Sequence, residues 1–78
     1  MKTEKELKNV LTLIGGNLAE LRLEKGYDSI KEFANKYGLP EIQYWRIENG
    51  KTNITIKSLF KILSIHELTL HDFFCTRC

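Results

Sequence analysis

A chain of 78 residues with a formal net charge of +2 has room for one domain and one modest core, since a domain this small buries only about 60 % of its unfolded surface. A composition that is 42 % hydrophobic and 28 % charged excludes a disordered or fibrous chain, and no apolar run approaches the roughly 20 residues of a membrane span. The N-terminal MKTEKELKNV lacks the apolar stretch of a signal peptide, so the expected location is the cytoplasm, with no membrane partner.

In chain order, Leu7, Val10, Leu11, Ile14, Leu18 and Leu21 recur at steps of three and four, the period of one buried helical face. Gly15 and Gly16 interrupt that stretch. They mark either a kink or the true start of the domain's first helix, so residues 1–15 read as an N-terminal extension or the opening of that helix. Gly26 ends it. Ser29 and Glu32 stand at capping-box spacing for a second helix that runs to about Tyr37. Gly38 and Leu39 form a turn, and Pro40 suits a first helical position because its missing N–H would be unpaired there. A third helix follows over about residues 41–49 and stops at Gly50. Thr55 is an N-cap for a fourth, with Ile56, Leu59, Ile62 and Leu63 as its buried side. Thr69 and Asp72 cap a short fifth helix carrying Leu70, Phe73 and Phe74. The prediction is an all-α domain of five helices over residues 16–74, with residues 75–78 as a tail.

Residues 30–49, IKEFANKYGLPEIQYWRIEN, have the pattern of two short helices joined by a tight turn. Ala34 lets the helices cross closely, and Gly38 takes the left-handed conformation that such a turn needs. At about 100° per residue, Tyr44 and Ile47 share the core side of the third helix. Ile42, Trp45, Arg46 and Asn49 point away, with Glu41 at the exposed start and Gln43 on the flank. An outward isoleucine and tryptophan need a partner, and the major groove of double-stranded DNA supplies one. Ile42 can rest on a thymine methyl, Arg46 can grip guanine, Glu41 can accept from cytosine, and Gln43 can reach an adenine edge or a phosphate. Trp45 either lies near a base or sets its indole N–H on a phosphate. Glu41 is explained equally well by the helix dipole. Directly afterwards come Asn49, Gly50, Lys51, Thr52 and Asn53, with Lys57 at the start of the next helix. Their backbone amides, polar side chains and lysines make a phosphate clamp. Over residues 42–61 the bases Arg46, Lys51, Lys57 and Lys61 face only the acid Glu48, so this half is the positive one.

These residues resemble the Cro and phage-repressor-like helix-turn-helix proteins, often called the XRE family. The resemblance spans about residues 16–74 and rests on Leu21-Arg22, Phe33-Ala34, Arg46-Ile47-Glu48-Asn49-Gly50-Lys51 and Leu70-His71-Asp72-Phe73-Phe74. It implies a compact lambda-repressor-like five-helix domain with a central helix-turn-helix, and a structural pair of Arg22 with Glu48. The chain departs from the family at Ile30, where a phosphate-contacting glutamine is common, and in a loop lengthened by one residue through Tyr27-Asp28. Further departures are Pro40 in place of a Ser or Thr cap, Trp45 in place of a small polar residue, and His66 in an apolar position.

The function expected is a sequence-specific transcriptional regulator, a repressor that binds a two-fold operator as a homodimer, with the fifth helix and Phe73 and Phe74 at the interface or in the monomer core. Within the same class a restriction–modification controller or an antitoxin fits the size. The alternative from another class is a protein-interaction module using Ile42 and Trp45. An enzyme is not expected, since no nucleophile set or phosphate-binding glycine loop is present. His66, His71, Cys75 and Cys78 give H-x4-H-x3-C-x2-C, but zinc fingers place the cysteines first and separate the pairs by about a dozen residues. Neither a metal nor a cofactor is expected.

Overall fold

The structure, a computed structural model, describes residues 2–76. These form helices α1 (Lys2–Glu24), α2 (Ile30–Tyr37), α3 (Glu41–Glu48), α4 (Ile56–Ile65) and α5 (Leu70–Thr76). Helix α3 packs against both α1 and α2, and α5 packs against α4. At 1.5 Å per residue α1 is about 34 Å long, which accounts for most of the molecule's 38 Å long dimension.

Local chemistry sets the ends of the helices. The Ser29 hydroxyl accepts from the Glu32 amide at 3.2 Å, and the Thr55 hydroxyl accepts from the Ser58 amide at 3.0 Å. Thr69 and Asp72 cap α5 reciprocally: the Asp72 amide donates to Thr69 Oγ1 at 3.0 Å, and the Thr69 amide donates to Asp72 Oδ2 at 3.3 Å. Gly38 closes α2 at φ 67° and ψ 32°, and the Leu39 amide donates to the Ala34 carbonyl at 2.8 Å. Pro40 stands one position earlier than expected. It is the N-cap of α3 rather than its first residue, and its carbonyl accepts the first intrahelical bond, from Tyr44 N.

The core is assembled around Phe33. Its ring meets Tyr27, Tyr37 and Tyr44 at centroid distances of 5.5, 5.1 and 5.2 Å. His66 lies nearly parallel to it in an offset stack, 9° from parallel with centroids 5.6 Å apart. The imidazole therefore does the packing an apolar side chain would do at that position. Leu18, Ala34, Leu63 and Phe73 are fully buried beside this cluster, with Leu21, Ile47, Leu59 and Ile62 nearly so. Ile30 is half-buried and packs against the same core.

Three expectations are corrected. Helix α1 is continuous through Gly15 and Gly16, and Gly15 is neither a start nor a stop. A Cβ there would run into the carbonyl oxygens of Ile47 and Glu48, so the glycine lets the end of α3 lie directly on α1. The apolar face of α1 is covered only along its second half: Ile14, Leu18 and Leu21 are buried, whereas Leu7 is 49 % and Val10 47 % exposed, because those turns project past α3. Ile56, expected on the buried side of α4, is 61 % exposed. It opens the helix and, with the exposed Phe60 one turn later, forms an apolar edge, leaving Leu59, Ile62 and Leu63 as the packing face. Phe73 is core, and Phe74 beside it is exposed.

Candidate nucleic-acid interface

Helix α3 presents two chemically distinct sides. Tyr44, Ile47 and Glu48 are buried, while Glu41, Ile42, Gln43, Trp45 and Arg46 are exposed. Ile42 is 74 % and Trp45 47 % exposed, too much apolar surface on so short a helix for the core to explain. All five side chains expected to meet bases are thus exposed, with Gln43 at the edge, where it lines the cleft between α3 and α4.

The buried side is anchored by a guanidinium fork. Arg22 Nε donates to Glu48 Oε2 at 2.9 Å and Arg22 Nη2 to Glu48 Oε1 at 3.2 Å. Arg22 Nη1 donates to the Tyr27 carbonyl at 2.7 Å. One side chain thereby ties α1, the loop after it and the end of α3 together. Within this loop Tyr27 offers its carbonyl to Arg22 and its ring to Phe33. The hydrogen bond to Glu48 raises the Arg22 pKa further above its ordinary value against the opposing effect of burial, so the charge on the fork is permanent. Burial first, and the neighbouring Glu48 carboxylate second, push the Tyr44 phenol far above its usual range. Tyr44 is a neutral core residue that lies beside the pair without hydrogen-bond geometry to it.

Because Arg22 neutralises Glu48 below the surface, the exposed bases Arg46, Lys51, Lys57 and Lys61 keep their field undiminished by that acid. The loop after α3 changes one part of the expected clamp. The amides of Asn49, Gly50 and Lys51 donate to the carbonyls of Trp45, Ile47 and Arg46 at 3.1, 3.2 and 2.8 Å, and Asn49 Nδ2 also donates to the Trp45 carbonyl at 2.9 Å. These groups finish the helix, and Gly50 serves it through its left-handed φ of 66°. What the loop offers a phosphate is the side chains of Lys51, Thr52 and Asn53, with Lys57 beyond them; Lys51, Asn53 and Lys57 are exposed and Thr52 half-exposed. Sequence reasoning missed Thr12. Its Oγ1 and Cα lie 2.9 and 3.0 Å from where a Gly50 Cβ would stand, so α1 holds the loop in place. The signal for this was the pairing of a small residue on each side, Thr12 with Gly50, which only tertiary contact reveals.

The histidine and cysteine series does not converge. His66 stacks in the core, while His71 and Cys75 lie on the exposed side of α5 with Nδ1 and Sγ 3.6 Å apart. Among the described residues no three metal-binding side chains gather, and Cys78 lies outside those residues. No helix of the described residues is long and apolar enough to cross a membrane.

Comparison with known proteins agrees with this geometry. The helix-turn-helix family model matches residues 18–73, which run from the buried half of α1 to the core phenylalanine of α5. The chain is 34 % identical over 68 residues to Control protein C.MunI of Mycoplasma sp, covering 87 % of this chain and 92 % of the relative. No solved structure matches significantly. Matched over residues 18–73, well over half of its length, the chain belongs to the helix-turn-helix family, as a Cro-like, XRE-type DNA-binding regulator.

Proposed function

We propose that this protein is a restriction–modification control protein, which binds a two-fold operator as a homodimer with α3 in the major groove. The observation that carries the DNA mode is the outward face of α3. There Ile42, Trp45 and Arg46 are exposed on a helix whose opposite side is locked to the core. Arg46 has the chemistry to bond guanine in two places, Ile42 to meet a thymine methyl, and Gln43 and Glu41 to read adenine and cytosine edges. Lys51, Thr52, Asn53 and Lys57 position the backbone. The similarity to a control protein along nearly its whole length favours this role over that of a dedicated repressor.

The homodimer is supported by area. One such module buries about 600–1,000 Å² on DNA, which limits a monomer's affinity, and Phe74 on α5 with Ile56 and Phe60 on α4 leave large apolar side chains uncovered. In vitro selection from random duplex DNA tests both parts of the proposal. The expected product is a site with two inverted halves about 10 base pairs apart. With Arg46→Ala, preference at one G·C position should relax by about 1–3 kcal/mol, and Ile42→Ala should weaken a nearby thymine. Enrichment of no sequence would sink the operator reading and turn the Ile42 and Trp45 face toward a protein partner.

A further inference from the structure

The first half of α1, which the family match does not cover, overhangs the loop that follows α3. Between them lies an open groove of about 560 Å³. Its walls are Glu4, Leu7, Lys8 and Leu11 on α1, with Lys51 and Thr52 among the facing loop residues. The loop wall is seated on α1, because Gly50 lies so close to Thr12 that an added Cβ would crowd its Oγ1 and Cα. Two lysines, Lys8 on one wall and Lys51 on the other, therefore line a shared space next to the end of α3. Such an arrangement suits an anion, and the Thr52 hydroxyl adds a donor. Leu7 and Leu11 offer an apolar surface to the carbons of a sugar. Glu4, on the same wall as Lys8, opposes the anion and limits its affinity.

We propose that this groove holds a backbone phosphate of double-stranded DNA, gripped by Lys8 from α1 and Lys51 from the loop. The proposal rests on the DNA-binding reading of α3 and extends the footprint to a helix segment outside the family-model match. DNA is favoured as the source of the phosphate by continuity: the loop wall begins where the outward face of α3 ends.

The test is binding of the full chain to mixed-sequence duplex DNA across a salt series, with folding of each variant checked by thermal melting. Lys8 is exposed, so its replacement should leave the melt unchanged. Lys8→Ala should lower the slope of log affinity against log salt by about one unit, Lys8→Arg should restore it, and Glu4→Gln should tighten binding. Lys5→Ala, which removes an equal charge from α1 away from the groove lining, should change the slope little. A wild-type slope in Lys8→Ala, in a protein that still binds DNA, would overturn the groove alone. Equal losses in Lys5→Ala and Lys8→Ala would overturn it too, by reducing the effect to net charge. No salt-sensitive binding by the wild type would remove the DNA reading and this inference together.

Discussion

The two halves of α1 carry the same apolar period and meet opposite fates. From Ile14 to Leu21 the stripe is sealed into the core, while Leu7 and Val10 lie about half exposed. The same pattern of residues is thus a core element in one half and an overhang in the other. Periodicity reports which face of a helix is apolar; whether anything covers that face depends on where the other helices end. The boundary falls at Gly15, where α3 finishes against α1.

The largest break in this comparison should come from the buried half's ion pair. Arg22→Ala or Glu48→Ala leaves a charge without its partner and should cost about 3–5 kcal/mol, seen as a large fall in the thermal midpoint. Retention of wild-type stability in both would mean that the fork does not hold α1 to α3. Next, Leu18→Ala should cost about 2–5 kcal/mol through cavity formation, whereas Leu7→Ala should stay within about 0.5 kcal/mol, as surface changes do. Chemical denaturation of the two variants side by side measures the contrast. Equal losses would show that the overhang is covered in solution.

The smallest and most discriminating pair is the two adjacent glycines. Gly15→Ala must push the Ile47 and Glu48 carbonyls away and should destabilise by about 1–3 kcal/mol, the range of an overpacked contact. Gly16 has nothing within 4 Å of an added Cβ. Gly16→Ala should therefore stabilise by about 0.5–1 kcal/mol, the helix-propensity gain of alanine over glycine. Changes of the same sign in the two melts would refute the close crossing at Gly15.

Much of the architecture was legible because it is written locally. The Ser29, Thr55 and Thr69–Asp72 caps and the Gly38 turn each act within one turn of the chain, and each appears where its chemistry places it. The outward face of α3 was legible for the same reason, as a phase relation within one helix. What stayed hidden depended on distant parts of the chain. Gly15 looks like a helix breaker until α3 is seen lying on it. Ile56 looks like a core residue until it is seen at the uncovered opening of α4. His66 looks like a departure until Phe33 is seen beneath its ring. The amides of Asn49, Gly50 and Lys51 looked available to phosphate until their bonds to the end of α3 were traced.

The Arg22 fork has a consequence for the cost of recognition. By joining α1, the Tyr27 carbonyl and Glu48 through one planar group, it sets the attitude of α3 before any duplex arrives. A partner then meets a surface whose backbone entropy was already spent in folding, and only the exposed side chains, Arg46 and Trp45 foremost, remain to be immobilised at about 0.5–1.5 kcal/mol each. Binding strength is thereby separated from binding geometry. Under the proposed mode, in which α3 enters the major groove, the outer face can exchange residues and change its preferred sequence while its angle of entry, held from beneath, stays the same.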